Sequence, residues 1–503
     1  MGSIYSLLSS HASERAEKPA IISAAGGRLS YLQLLSLVDE LSASLSVRFI
    51  RNDTIFRDVC VGLCLCDGVL SLLFVLALNK MGMRVAPLNP ALTFKQINKL
   101  AVASSVSVLI TDNKLLCDAN LFDFKTVLAK KIIEVNQSGN GYQVTSFDSG
   151  PVPNASYEVG TPFLITLSSG STGDPKPIIF TEDNKIERAK QAALLYNLGE
   201  SDTILCASPF YHSLGQRLSL FPIIFGSTLV VLEKFSKSNW LSAVSLHKIT
   251  ATIAVSSHLH ALQDELIGGQ LPECFRCLVS SSANIDISVK KALFSQKFFD
   301  FYEMYGASEV ATATILDQES SVKNMKSVGV ACEKVEIKIT NSCGGRCADR
   351  EIGEILVKSP LSSPGYLNSP QLTEESYEAE FFKTGDLGFI DENGYLFLVG
   401  RLNDVITSGG INVYPSDISN LLRQHKSVED VEVFGISHHY LGQVVGVVVA
   451  TKAQVSELEA ELRLMARTEL ATFQQPIKYM FVNEMPLLGS GKVDRQALKA
   501  SIS

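Results

Sequence analysis

The chain has 503 residues, 46% of them apolar and 19% charged, and carries a formal net charge of −8. This is the composition of an ordinary globular protein, and the length exceeds what one hydrophobic core supports, so two or more packed units are expected. The acidic balance excludes a surface built for nucleic acid, which needs clustered excess Lys and Arg, and points to small-molecule partners.

At the start of the chain, Met1 to Lys18 has no basic segment followed by an apolar one, so no secretory leader is predicted and a cytoplasmic location is expected. Met1-Gly2-Ser3-Ile4-Tyr5-Ser6 fits a loose myristoylation pattern, but no second anchoring signal accompanies it. A helix is predicted from Tyr31 to Ser46, where Leu34, Leu35, Val38, Leu41 and Leu45 recur at helical spacing. Val69 to Leu78 is the longest mostly apolar run; it falls well short of the roughly 20 residues that span a bilayer and reads as buried core. Strands are predicted at Val59 to Cys66, Val106 to Thr111, Ser227 to Leu232 and Ala251 to Val255, with amphipathic segments between them. Such alternation implies α/β layers. The ten cysteines are scattered, and Cys274/Cys277 with His258 and His260 do not match zinc-site spacing, so reduced, mostly buried thiols are expected.

From Val335 the pattern becomes strand-rich (VEIKIT, EILVKS, GYLFLVGR), which predicts a small antiparallel or β-barrel-like part. After Gly400-Arg401 comes a short α+β unit: the strand DVIT, a Ser-Gly-Gly turn, a helix at 415–424, strands at 431–436 and 444–451, and a helix at 456–470. The predicted fold is therefore α/β, with a large N-terminal domain of layered α/β subdomains plus the barrel-like part over residues 1–402. A small α+β C-terminal domain follows over residues 403–503.

One stretch carries chemistry on its face. In LSSGSTGDPK, Gly170 and Gly173 can take φ values closed to other residues and let successive N–H groups point at one anion. Ser168, Ser169, Ser171 and Thr172 add hydroxyls, and Lys176 adds charge. A strand precedes the loop and a helical segment follows from about Asp183, which predicts a strand, loop and helix anion site. It is not the common nucleotide P-loop, because Asp174 and Pro175 separate Lys176 from the last glycine. A bare Ser/Thr/Gly turn stays the alternative until distant residues speak.

They do so in order along the chain. Ser169 to Lys176 matches the SG-[ST]-TG-x-PK loop of the acyl-adenylate-forming superfamily, which includes acyl-CoA synthetases, adenylation domains and firefly-type luciferases. Tyr305-Gly306-Ala307-Ser308-Glu309 resembles that family's YGxTE segment, Thr384-Gly385-Asp386 its TGD, and Gly400-Arg401 with Asp404 its GRxxD. Ser408 to Pro415 (SGGINVYP) resembles its SGGENVYP turn, and Pro486, Gly491-Lys492 and Arg495 its C-terminal lysine segment. LSYLQL at Leu29 and RVAPLNP at Arg84 match as well, so the resemblance covers nearly the whole chain and is nearest in pattern to aryl- or acyl-CoA ligases.

The resemblance implies ATP, Mg2+ and coenzyme A, or a carrier-protein phosphopantetheine, as cofactors. Ser169, Gly170, Ser171, Thr172, Gly173 and Lys176 would wrap the β- and γ-phosphates. Glu309 would hold Mg2+, because a hard dication takes carboxylate oxygen, phosphate and water. Tyr305 would face adenine, Asp386 would accept from the ribose hydroxyls, and Arg401 would supply a cationic fork nearby. Gly306, Ser308, Ser282 and Ala283 complete the nucleotide set. Lys492 would bridge the carboxylate and the α-phosphate. The C-terminal domain is expected to be mobile, pivoting at Asn403 to bring Ser408, Gly409 and Gly410 to the thiol path.

SPFYHSLGQ resembles the acyl- and aryl-CoA ligase form, making His212 a candidate gate, with Ser257, His258, Ser281 and Gly306 lining the acid pocket. No Asp here is placed to pair with an α-ammonium, so an aryl or fatty acid is expected over an amino acid. A stand-alone enzyme loading an acyl carrier protein is the alternative partner reading, and a non-catalytic acyl-adenylate-binding paralogue a third. No membrane span is expected, and a monomer or homodimer fits. Pro177 departs from the family's glycine and stiffens the loop exit.

Overall fold

The computed structural model describes residues 2–24, 26–49, 59–112, 125–128, 133–135, 142–144, 160–169, 175–269, 271–281, 285, 287–409, 411–488 and 493–502. Two sheets form the large α/β part. The first has nine strands, ordered Val330–Ala331, Ala311–Leu316, Asp300–Ala307, Cys277–Ser281, Ala251–Ala254, Thr203–Cys206, Thr228–Val231, Pro19–Ser23 and Arg28–Ser30. Its interior neighbours run parallel and its edges antiparallel. Parallel strands are covered on both faces and so read as unbroken apolar runs; TLVV and ATIA are buried at every position.

The second sheet has six strands, ordered Pro175–Thr181, Pro162–Ser169, Arg84–Pro87, Cys60–Cys64, Val106–Thr111 and Lys125–Leu128. Val69 to Leu78 is core, as its composition predicted: it forms most of the helix Gly68–Lys80 and is buried throughout. An apolar run without a polar stripe can only be a helix wrapped on all sides. No helix among the described residues is long and apolar enough to cross a membrane.

The strand-rich stretch forms a third, antiparallel sheet in the order Glu336–Thr340, Gly353–Lys358, Phe381–Ile390 and Tyr377–Glu378, with Leu396–Arg401 also paired to Phe381–Ile390. A fourth is ordered Ile411–Val413, Ile406–Ser408, Gly442–Ala450 and Asp430–His438, with Lys478–Val482 alongside Gly442–Ala450. Among the described residues no strand pairing joins a strand before residue 402 to one after 405. The buried apolar clusters divide at the same place.

The helix expected from about Asp183 is present as Glu182–Tyr196, but the strand-loop-helix arrangement needs correction, because the strand Pro175–Thr181 lies between the loop and that helix. Ser169 pairs with Pro175 and Ser168 with Lys176, so two antiparallel strands flank residues 170–174. The run KPIIFT continues β-branched and aromatic residues past the loop and wins over helix.

The same register accounts for Pro177. Pro175–Thr181 is an edge strand, and on its outer side Ile179 N donates to Gly365 O (3.0 Å) and Leu367 N to Pro177 O (2.9 Å). N–H and C=O of one residue point the same way in an antiparallel strand, so the N–H that Pro177 lacks belongs to the outer side and not to the ladder with Pro162–Ser169. Pro177→Ala should therefore cost only about 0.4–1 kcal/mol through the unfolded chain. Ile178→Pro removes an inner ladder bond and should cost about 3 kcal/mol or more. Urea unfolding of the two variants checks this; equal losses would place Pro177 in the ladder.

Candidate active site

The YGASE segment begins inside a strand and ends in a turn. Tyr305 and Gly306 close the strand Asp300–Ala307, whose pairing with Ala311–Leu316 shifts register between them. A Cβ on Gly306 would lie 1.9 Å from Ala311 O, so only glycine fits this bulge. Ser308 and Glu309 follow in the turn, and their carbonyls are held by Arg188, from Nη1 to Ser308 O (2.7 Å) and Nη2 to Glu309 O (2.9 Å). Arg188 also donates from Nε and Nη2 to Leu361 O (3.0 and 2.7 Å). Burial, with Arg217 close by, lowers its pKa to about 9.

Glu309 turns its carboxylate to Tyr366, whose hydroxyl donates to Oε1 at 2.9 Å. Burial and this carboxylate push the Tyr366 phenol well up, so it stays protonated and donating. Lys176 Nζ stands 5.6 Å from the centre of the same ring. Tyr366 thus brings the loop lysine and the proposed metal carboxylate to one place. Among the described residues no three His, Cys, Asp or Glu side chains cluster as a metal cage. A cation here would take Glu309 together with phosphate and water oxygens, a set that suits Mg2+.

A second group forms at the third sheet. Asp386 and Arg401 are directly opposed across the strands Phe381–Ile390 and Leu396–Arg401, with Arg401 Nε 2.7 Å from Asp386 Oδ1. Tyr305 reaches over from the first sheet and its hydroxyl donates to Asp386 Oδ2 at 2.8 Å. Thr384 Oγ1 accepts from Asp386 N (3.1 Å) and donates to Ile355 O (2.7 Å), which fixes the Thr384-Gly385-Asp386 turn. Tyr305 is only 8% exposed, so most of its ring face is already covered. Burial and Asp386 raise its pKa well above the ordinary value.

The acid-pocket candidates scatter more widely. His212 caps the helix Ser213–Phe225 by position, with its ring 4.5 Å from Tyr211. Ser257 is the second residue of the helix Ser256–Ile267, and its Oγ is buried with no hydrogen-bond partner among the described residues. Ser281 ends its strand and is paired with Met304. His258 is buried and stacked on Phe235, with ring centres 3.7 Å apart.

In the C-terminal unit, Ser408 is buried at the end of its strand. Gly409 takes a φ of +58° and donates to Leu441 O at 2.9 Å. Asn403 lies in the 3-10 turn Leu402–Asp404, and Asp404 faces Arg495 at 3.5 Å. Gly170, Ser171, Thr172, Gly173, Ser282, Ala283, Gly410 and Lys492 lie outside the described residues, as do the side-chain surroundings of Ser169. The residues flanking Lys492 are described: Leu487 bridges Val493, and Asp494 N donates to Pro486 O (2.8 Å).

Arg188 and Tyr366 do not stand out in the sequence. Arg188 is one basic residue in a helix, and no local pattern marks it. Tyr366 stands in SPGYLN, a turn like many others.

The AMP-binding enzyme family matches residues 8–367, and the AMP-binding enzyme C-terminal domain matches residues 417–492. The chain belongs to the AMP-binding enzyme family. Among relatives of this AMP-binding enzyme, a 2-succinylbenzoate–CoA ligase of Geobacillus sp. (strain WCH70) is 33% identical over 342 residues, 67% of this chain and 68% of that one. One from Listeria monocytogenes serotype 4b (strain F2365) is 28% identical over 480 residues, 94% of each chain. By structure, the chain is similar to the o-succinylbenzoate CoA synthetase of Bacillus subtilis in complex with its acyl-adenylate intermediate. The TM-score is 0.85 at 24% identity, covering 99% of this chain and 98% of that one. The amide bond synthetase McbA of Marinactinospora thermotolerans has the same fold, with a TM-score of 0.84 at 20% identity and full coverage of both chains. The large N-terminal and small C-terminal parts are those of the AMP-binding enzymes.

Tyr305→Phe deletes the hydroxyl that orients Asp386 and should weaken AMP binding roughly 3- to 10-fold, the worth of one such hydrogen bond. Calorimetric titration with AMP reads this directly; an unchanged affinity would show that Asp386 needs no such support. Burial also pushes His258 down to about 4. The unfolded chain takes up the proton first, so this group costs nothing above about pH 6.5. As pH falls from there towards about 4 it removes stability, up to roughly 3 kcal/mol. Unfolding midpoints should fall more steeply with acid in the wild type than in His258→Phe, and parallel curves would overturn the assignment.

Proposed function

We propose that this AMP-binding enzyme is an ATP-dependent acid–CoA ligase acting on an aryl or fatty carboxylic acid, with aryl acids preferred on the names of its relatives. In the first half-reaction a carboxylate oxygen attacks the α-phosphorus of ATP, the bond to the bridging oxygen breaks, and pyrophosphate leaves. In the second, the coenzyme A thiol gives up its proton, its sulfur attacks the acyl carbon, and AMP leaves with the electron pair.

The observation that carries this reading is the meeting of Tyr305, Asp386 and Arg401, drawn from two different sheets, in a chain of this family. Asp386 can accept from ribose hydroxyls on its remaining lone pairs while Arg401 and Tyr305 hold its orientation. Lys176 and the Ser169–Gly173 loop are assigned to the β- and γ-phosphates. Glu309 is assigned to Mg2+, and a Bacillus subtilis relative of the same fold has been solved in complex with ATP and magnesium ion. Bringing a carboxylate to a polyanion puts the weight of catalysis on positioning and charge neutralisation. Lys492 takes the position between the two anions, and His212, Ser257, His258, Ser281 and Gly306 the acid pocket. The chain divides into residues 1–402 and a mobile domain, residues 403–503, pivoting at Asn403. That pivot exchanges Lys492 for Ser408, Gly409 and Gly410 between the half-reactions.

Lys492→Ala should abolish acid-dependent ATP–pyrophosphate exchange while transfer from preformed acyl-adenylate to coenzyme A survives. Exchange retained at the wild-type rate would remove Lys492 from the chemistry. A screen over aryl and fatty acids, with coenzyme A or a phosphopantetheinyl carrier protein as acceptor, measures the specificity.

A further inference from the structure

The short strand that carries Ser408 is held to its sheet at one end only. Apart from its hairpin partner Ile411–Val413, the strand Ile406–Ser408 is paired with the sheet at a single position, Ser408 with Gly442. Two further bonds reinforce that join: Gly409 N donates to Leu441 O at 2.9 Å, and Thr407 N to Gln443 Oε1 at 3.1 Å. A Cβ on Gly409 would lie 3.3 Å from Leu441 Cδ2, so the Leu441 side chain rests against the Gly409 backbone. These supports all come from residues 441–443, at the tip of the hairpin formed by Asp430–His438 and Gly442–Ala450.

A histidine shapes that tip. His438 pairs with Gly442 at the mouth of the turn, and Gly442 takes a φ of +75°, the left-handed conformation that closes such hairpins. Inside the turn, His438 Nδ1 accepts from Tyr440 N at 3.3 Å and from Leu441 N at 3.1 Å. An Asp or Asn side chain does the same at the head of many turns, but the imidazole brings a different chemistry. Nδ1 accepts only while the ring is neutral and its proton sits on Nε2; the imidazolium carries N–H on both nitrogens and accepts nothing.

Little else bears on the charge of that ring. His439, on the same turn, has its ring centre 4.6 Å away, and Tyr440 beside it is exposed. The adjoining strands Ile406–Ser408, Ile411–Val413 and Gly442–Ala450 contain no ionisable side chain. On the strand of His438 itself, Asp430 and Glu432 are engaged by Arg423 and Arg495. Among the described residues no carboxylate is ion-paired with His438.

We infer that His438 is a positioning residue for the second half-reaction: its neutral imidazole fixes Tyr440 and Leu441, and Leu441 fixes the Ser408–Gly409 backbone past which the thiol approaches. Protonation removes the acceptor and loosens that backbone, so thioester formation falls with acid beyond what the thiol itself imposes. The inference rests on the acid–CoA ligase reading, which assigns Ser408, Gly409 and Gly410 to the thiol path.

The test compares the full-length wild type with His438→Phe, which has no acceptor, and with His438→Asn, whose side-chain oxygen accepts the same N–H groups and does not titrate. The probes are the aryl acid that gives the fastest ATP–pyrophosphate exchange, its preformed adenylate, and coenzyme A. His438→Phe should keep wild-type exchange while its kcat/KM for coenzyme A in transfer falls roughly 5- to 100-fold, the worth of two such hydrogen bonds. His438→Asn should recover most of that loss. Between about pH 8 and about pH 5.5 wild-type transfer should fall relative to His438→Asn, because the ionisation of the thiol is common to both and cancels in their ratio. Amide hydrogen exchange, corrected for its intrinsic pH dependence, needs no substrate. It should show Gly409 and Leu441 losing protection in His438→Phe, and in the wild type in acid, but not in His438→Asn. Wild-type transfer by His438→Phe, equal loss of exchange and transfer, parallel pH profiles for wild type and His438→Asn, or unchanged amide protection each overturns the inference. The expected amide changes with no exchange for any acid would uphold the hold of His438 on the turn and overturn the ligase reading instead.

Discussion

The buried guanidinium of Arg188 is the contact on which the candidate site depends. Among the described residues it is ion-paired with no carboxylate, and its N–H groups donate to the carbonyls of Ser308, Glu309 and Leu361. Burying a charge this way is costly unless every donor finds an acceptor, and four short contacts together with the Phe180 ring at 4.6 Å provide that. The result joins three segments far apart in sequence: the helix Glu182–Tyr196, the turn after Gly306, and the stretch around Leu361. Glu309 is thereby fixed by its backbone, leaving its carboxylate to Tyr366.

Tyr366 extends the same frame towards the strand that leaves the Ser/Gly-rich loop. The segment 365–367 lies along the outer side of the strand that leaves the loop, so the loop base, Lys176 and Glu309 share one backbone scaffold. On the opposite flank, Tyr305 crosses from the first sheet to Asp386 on the third. Each of these two carboxylates, Glu309 and Asp386, accepts a hydrogen bond from a tyrosine of another element. A phenol suits this role because burial raises its pKa, so it donates a proton to a carboxylate throughout the physiological range.

Much of this is legible in the sequence for physical reasons. Apolar runs without polar interruption mark buried strands and a buried helix, because no other environment accepts them, and Val69 to Leu78 behaves accordingly. Asp386 and Arg401 are readable as a pair since both stand in strands separated by a tight Asp-Glu-Asn-Gly turn. The exit of the Ser/Gly-rich loop is not. Polar, glycine-rich residues announce a turn, but do not say whether helix or strand follows, and KPIIFT decided for strand. Arg188 and Tyr366 are equally hidden, since their roles lie in contacts 50 or more residues away that leave no local period.

The order of elements and the residue types offered to the chemistry follow from sequence alone. Periodicity, turn residues and motif spacing carry them, and all of these are short-range properties. Which side chains meet is a matter of three-dimensional packing. Tyr305 finds Asp386, Tyr366 finds Glu309, and Arg217 finds Met304. Those meetings depend on strand register and on the burial of cations, and both are settled by packing of distant segments against one another.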